Sequence, residues 1–455
     1  MPENKQSIGY IVGGGLKENL RVRLTVPSQQ VQEGAFVVID SSPWRFYGLV
    51  TDLQLGSTDP RFADEQSETR FPVEISRLLH GQTLFTNLEV LPALMCEIGP
   101  ELDDPAYPAW RQAHPEDPQQ LPVKTIPPHH APVRLAQEGD IAEIFGRPGD
   151  KGNFVIGYTR EQGHAVCVDL AKFVQRSAGV FGATGTGKSF LTRILLAGLI
   201  QYNAASVLVL DMHNEYGFDD TASDTKKPVP GLKTKFPARV RVVSLGSGAQ
   251  IRGKTPDFNL EIAFKDIAPE DIELLTRELN LKETTPTTLE ALVSTLGREN
   301  WFGAFREMEN GAVIEDENGK KVPAPHSVAA WAFRAGVNAA AAEGLHSKLN
   351  RLFNKDYILE KPAADGIGEV IKALEGGQHV VLSFGENESD LDYLLVSNLL
   401  TRRIRAAWEK STNQFRTKQE KEPRPLVIVV EEAHKMLNRE MAAQTTFSTI
   451  AREMR

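Results

Sequence analysis

Hydrophobic and polar positions divide this chain into two regimes. In the first, short runs at 9–12, 20–26, 35–39 and 45–53 are rich in β-branched and aromatic residues and are separated by turn formers. Leu20, Val22, Leu24 and Val26 alternate with polar residues, the period-two pattern of a strand with one buried face. The apolar run 84–98 adds one or two strands and 133–136 another. Together they predict a small N-terminal β-barrel.

Residues 99–132 are crowded with proline, acidic and polar residues, which predicts a long loop or linker with little regular structure. After a β-rich stretch at 153–168 the second regime begins, in which strands alternate with helices. The domain boundary is expected near residue 150, with a barrel over 1–150 and an α/β core over 151–455. Strands are predicted at 178–181, 206–211, 239–245, 379–384 and 426–430, apolar enough for a sheet buried on both faces. The segment 257–365 reads as a helical insertion. A later helix buries Leu391, Leu394, Leu395 and Leu399 and is expected to end at Arg402, Arg403 and Arg405, which would meet its C-terminal dipole and solvent. There is no internal repeat or heptad pattern.

Composition narrows the class. At 455 residues, 41% hydrophobic and 24% charged, the chain is globular and has room for two or three domains. No run approaches the ~20 apolar residues of a membrane span. The polar start, 1–7, lacks a secretory signal, so a cytoplasmic location is expected. Cys96 and Cys167 stand alone, which excludes a disulfide framework or cysteine-rich zinc site and marks both as buried fillers. His129 and His130 have no third ligand at metal spacing. A net charge of -9 argues against coating nucleic acid with the whole surface, yet permits a local basic lining.

Chemistry concentrates in three places. Gly182, Ala183, Thr184, Gly185, Thr186, Gly187, Lys188 and Ser189 fit the full phosphate-binding loop between a predicted strand, 178–181, and a predicted helix, 190–200. Glycines let backbone N–H groups wrap phosphates, the helix start favours the anion, Lys188 reaches the β and γ phosphates, and Ser189 ligates magnesium. The strand 426–430 ends in Glu431 and Glu432. There Glu431 would hold the magnesium shell through water and Glu432 would polarise the attacking water. The strand 206–211 ends in Asp211-Met212-His213-Asn214-Glu215-Tyr216. At that edge Asp211 is either an acidic group near the nucleotide or the cap of a turn. His434 reads as a hydrogen-bonding residue.

The loop, the Asp-x-His-x-Glu-Tyr stretch and the Glu-Glu-Ala-His end of the late strand together resemble the HerA branch of the HerA/FtsK superfamily. The early β-rich region resembles the barrel that precedes the motor in those proteins. The resemblance implies a RecA-like core with ATP and Mg2+, and a homohexameric ring with nucleotide at subunit interfaces and DNA in the pore. It also implies service to a partner nuclease or other effector, in DNA end processing or antiviral defence, since no nuclease motif lies in the chain. Arg176 matches an arginine that precedes the loop and faces nucleotide. The last predicted helix, 438–455, carries Arg452 and Arg455, and Arg455 in particular matches an arginine reaching a neighbour's γ-phosphate. Two other readings stay open: a secretion or conjugation motor, and a nucleotide-binding scaffold ring. Two departures are visible. Glu431 stands where many relatives carry aspartate, and relatives continue past the equivalent of Arg455 into a strand bearing a polar sensor, so truncation or loss of a sensing element is expected.

Overall fold

Alternation of buried and exposed side chains builds the first unit strand by strand. In a computed structural model, residues 6–58, 83–115, 119–221, 226–246, 248, 250–317, 319–417, 421–438 and 445–453 are described. The chain separates into two units, Met1–Asp169 and Leu170–Arg455.

The first unit contains β1 (Ser7–Gly13), β2 (Leu20–Leu24), β3 (Phe36–Ser41), β4 (Trp44–Ser57), β5 (Leu84–Glu97), α1 (Tyr107–Ala113), β6 (Gln120–Pro122), β7 (Pro132–Leu135), α2 (Glu138–Phe145), β8 (Asn153–Tyr158) and β9 (Ala165–Asp169). Strands run β2-β1-β7-β3-β4-β5, and β5 pairs back onto β2, so six strands close a barrel. Closure leaves those strands no free edge. Val22, Val37, Ile39, Val50, Leu88, Val90 and Val133 fill the interior. The apolar run at 84–98 is one strand, which pairs with β4 through register shifts at Tyr47/Gly48 and Val50/Asp52. A Cβ at Gly48 would lie 2.5 Å from Val90 Cγ1, so only glycine allows this approach.

The expected loop at 99–132 holds more order than its prolines suggested. It contains α1, with proline in the first turn where the missing N–H costs nothing, and β6, which pairs with β5. Arg134 makes bonds of 2.5 and 2.8 Å to Asp140 of α2 and one of 3.0 Å to Asp40 of β3. Gln162, in the β8–β9 turn, accepts from the Phe36 N–H and donates to the Phe36 and Ala136 carbonyls. Cys96 and Cys167 are both buried, as expected.

The second unit carries α3 (Lys188–Gln201), β10 (Ser206–Asp211), β11 (Val240–Leu245) and β12 (Phe258–Leu260). Five helices follow: α4 (Pro269–Glu273), α5 (Thr285–Leu296), α6 (Trp301–Arg306), α7 (Val328–Ala335) and α8 (Ala339–Phe353). The unit ends with α9 (Gly366–Glu375), β13 (His379–Ser383), α10 (Asp390–Arg416), β14 (Leu426–Val430) and α11 (Thr446–Glu453). The parallel sheet has the order β12-β11-β13-β10-β14. Every residue of β10 is buried, whereas every residue of β14 is half-buried. The inserted helices pack around Trp301, Phe302, Phe305, Trp331 and Phe353. Both tryptophans place their indole N–H on acceptors, Ile267 O at 3.1 Å and Thr295 Oγ1 at 3.0 Å, as buried indoles do.

Three expectations need correction. Residues 178–181 form no strand; they are exposed and irregular, with Phe181 93% accessible. A strand exists only by pairing, and this four-residue run, interrupted by Gly179, pairs with none of the five. The helix expected to end near Arg405 continues to Arg416. Arg402, Arg403 and Arg405 therefore lie within it and pair with Asp271, Asp266 and Glu409 rather than meeting a helix terminus. The helix expected over 438–455 is α11, and Arg455 lies outside the described residues.

Candidate functional site

The phosphate-loop residues form an exposed turn leading into α3. Gly185 and Gly187 take φ of 81° and 91°, a region open to glycine and strained for other residues. Gly187 is the N-cap residue of α3, so the first helical N–H groups point toward the loop. Thr186 Oγ1 and Lys188 Nζ both donate to the Ala183 carbonyl, at 2.7 and 2.9 Å. Lys188 is thus folded over its own loop. Arg176 is exposed a few residues earlier.

Parallel strands bring their C-terminal ends to one edge of the sheet, and there β10 and β14 lie side by side. Asp211 is fully buried, and its two carboxylate oxygens accept the Glu215 and Tyr216 N–H groups at 2.8 and 2.9 Å. The turn-capping alternative describes these bonds. Burial pushes the Asp211 carboxyl up to about 6. Glu431 is pushed to about 8, first by burial and then by the charges of Asp211 and Glu215. The His213 N–H points at Glu431 Oε2 from 3.5 Å.

Glu432 has φ 46° and ψ 45°, left-handed values for a residue that bears a side chain. Such a backbone persists where the surroundings over-determine it, and here they do. Tyr393, fully buried on α10, donates to the Glu431 carbonyl at 2.6 Å. Lys435 Nζ holds Asp390 Oδ1 at 2.6 Å. His434 Nδ1 lies 3.1 Å from Glu432 Oε2.

Tyr216 joins the loop to the acidic turn. Burial first and the Glu431 charge second raise its phenol, while the nearby Ser189 side chain acts to lower it. The guanidinium of Arg193 on α3 lies 5.7 Å from the Tyr216 ring centroid and donates to the Glu215 carbonyl. Residues far apart in sequence, Ser189, Tyr216 and Glu431, therefore meet at one edge.

Magnesium fits this chemistry. The crowding of Asp211, Glu215 and Glu431, expressed in the raised Glu431 pKa, is what a hard divalent cation relieves. Among the described residues no three His, Cys, Asp or Glu side chains form a protein-only metal cage. Magnesium takes one or two protein ligands and completes its shell with water and phosphate oxygens.

Sequence reasoning missed the supporting residues. Tyr216 stood inside the quoted stretch without a role. Tyr393 lay among leucines on a buried stretch of helix, and a phenol there, which needs an acceptor for its hydroxyl, was the available signal.

Residues 154–404, more than half of the chain, match the family described as Helicase HerA, central domain. No curated protein matches the chain significantly.

Proposed function

This chain belongs to the HerA family of P-loop ATPases, and we propose that it hydrolyses ATP as a homohexameric ring to move DNA for a partner nuclease or other effector. HerA-type ATPases typically assemble as oligomeric rings. The observation that most supports the reading is the sheet edge where parallel pairing of β10 and β14 sets Glu431 beside Asp211, with Tyr216 close to both that edge and Ser189 of the phosphate loop.

In this reading the backbone of residues 182–187 wraps the phosphates and Lys188 leaves the Ala183 carbonyl for the β and γ oxygens. Ser189 and Glu431 would hold magnesium, which would supply neutralisation of the phosphate charge. Glu432 orients and deprotonates the attacking water. Arg176 faces nucleotide, and Asp211 fixes the turn carrying Glu215 and Tyr216 rather than touching phosphate itself. Arg455 of a neighbouring subunit stabilises the charge that develops at the γ-phosphate. DNA end processing or antiviral defence in the cytoplasm is the setting this activity suits. No described helix is long and apolar enough to cross a membrane.

The test is the ATPase rate with and without double-stranded DNA, beside Glu432→Gln, with particle mass measured in the same samples. DNA stimulation in a ring-sized particle, lost in the variant, supports the reading. A ring with negligible turnover under both conditions replaces it with the scaffold reading.

A further inference from the structure

Arg193 follows Ser189 by one turn of α3, at the i, i+4 spacing that sets two side chains on the same helix face. Its guanidinium donates to the Glu215 carbonyl and lies 5.7 Å from the centroid of the Tyr216 ring, within reach of a cation–π attraction. The Glu215 carbonyl and the Tyr216 N–H belong to one peptide group. That N–H donates to Asp211 Oδ2 at 2.9 Å. One peptide plane is thus held at both ends, by a fully buried carboxylate of the sheet and by a guanidinium of the loop helix.

The first half of α3 needs such a tie. Its second half is fixed by the burial of Leu195, Leu196, Leu199 and Ile200 and by Arg239, which donates to the Ile200 carbonyl at 2.9 Å. None of residues 188–194 is buried. Lys188 and Ser189 therefore sit on a stretch that no buried apolar side chain registers against the sheet. Arg193 ties this stretch to a turn that is itself fixed. Asp211 caps that turn, the Leu232 N–H donates to the Tyr216 carbonyl at 2.9 Å, and Asn214 Oδ1 accepts from the Gly385 N–H at 3.2 Å. The same turn points the His213 N–H at Glu431 Oε2.

We propose that Arg193 is a positioning residue that sets the distance between Ser189 and Glu431, and with it the affinity of the site for magnesium. The inference rests on the reading above, in which those two residues share the ion. Magnesium demands near-ideal octahedral geometry with short bonds, so a loop helix free to shift offers it a poorer site. Phosphates wrapped by backbone N–H groups depend instead on the loop's own shape. Loss of Arg193 acts on the metal and leaves metal-free nucleotide binding in place.

Full-length chains carrying Arg193→Met, Arg193→Lys, Ser189→Ala and Glu431→Gln are compared with wild type, after thermal unfolding has established that each is folded. A fluorescent ATP analogue is titrated in EDTA and then against rising magnesium. Arg193→Met keeps the apolar stem and removes the guanidinium. It is expected to raise the magnesium concentration at half-saturation by about 10- to 100-fold, the range for losing a group that orients metal ligands, with affinity in EDTA unchanged. Arg193→Lys keeps a donor without the flat fork and falls between. Wild-type magnesium dependence in Arg193→Met overturns the proposal, and so does an equal loss of affinity with and without the metal, which would make Arg193 a prop of the loop alone. Should Arg193→Met fail to fold, wild-type magnesium dependence in Arg193→Lys overturns it instead. If neither Ser189→Ala nor Glu431→Gln moves the magnesium dependence, the shared-ion reading itself fails. If both move it and Arg193→Met does not, only the positioning role fails.

Discussion

The two halves of the candidate site are built by different means. The phosphate loop is exposed, closes on itself through Thr186, Lys188 and the Ala183 carbonyl, and owes its shape to local sequence. The acidic turn after β14 is held from outside, by Tyr393 of α10, by Lys435 on Asp390, and by the Asp211-capped turn beside it. A loop that waits for a polyanion can remain open, because the ligand completes its hydrogen bonds. Carboxylates that must orient one water and one metal need their geometry in advance, since their mutual repulsion otherwise drives them apart. The left-handed Glu432 backbone is where that advance placement is visible.

The largest effect that would break this comparison is on turnover. Glu432→Gln is expected to lower kcat by about 10²–10⁴, the range for removing a general base, while nucleotide binding, measured by fluorescence with an ATP analogue, persists. A variant that also stops binding nucleotide would show that the two halves are not separable.

Next in size is Tyr393→Phe, which strips the Glu431 carbonyl of its 2.6 Å donor. Leaving a buried carbonyl unpaired costs about 1–3 kcal/mol. Both the midpoint of thermal unfolding and kcat should fall, with KM for ATP unchanged. Unaltered turnover would mean that the acidic turn holds itself.

Gly187→Ala tests the loop in the same currency. At φ 91° a side chain costs about 1–2 kcal/mol. The expected result is weaker nucleotide affinity, read by titration, with little change in the unfolding of the sheet. Strong global destabilisation would show that the loop is part of the core rather than an appendage.

The smallest effect lies at the opposite end of the sheet. His379 opens β13, is buried, and has no hydrogen-bond partner for either ring nitrogen. Burial first, and then Arg424 and Arg239, lower its pKa from 6.5 to about 4. The folded chain therefore holds the imidazole neutral where the unfolded chain would protonate it. Its contribution to stability is complete above pH 6.5 and is lost as pH falls from there toward about 4. Denaturant midpoints between those values should slope less steeply in His379→Leu, and an unchanged slope would assign the acid sensitivity to the carboxylates.

Local rules made much of this molecule readable in the sequence. Alternation in Leu20, Val22, Leu24 and Val26 marked a barrel strand, and three of these positions lie within β2 and the packed barrel core. Glycine spacing with Lys188 and Ser189 marked the loop. The four strands that do form the core sheet near their expected places, β10, β11, β13 and β14, were legible as continuous apolar runs. Residues 178–181 looked the same and form no strand, because an apolar run states that burial is favourable without saying which partner provides it. Arg402 failed for a related reason: its helix position suggested solvent, and its fate was decided by Asp271, contributed by a helix more than a hundred residues earlier.

What the sequence determined by itself was therefore whatever neighbours along the chain can enforce. This covers the period of the strands, the left-handed glycines of the phosphate loop, the Ser389 cap that starts α10 and the supply of acidic residues after β10 and β14. Tertiary structure alone decided that the Asp211 carboxylate is caged by its own turn, that Ser189, Tyr216 and Glu431 gather at one edge, and that Arg402 pairs with Asp271. Burial and hydrogen-bond satisfaction are properties of groups brought together from distant points of the chain, and no window along the sequence contains them.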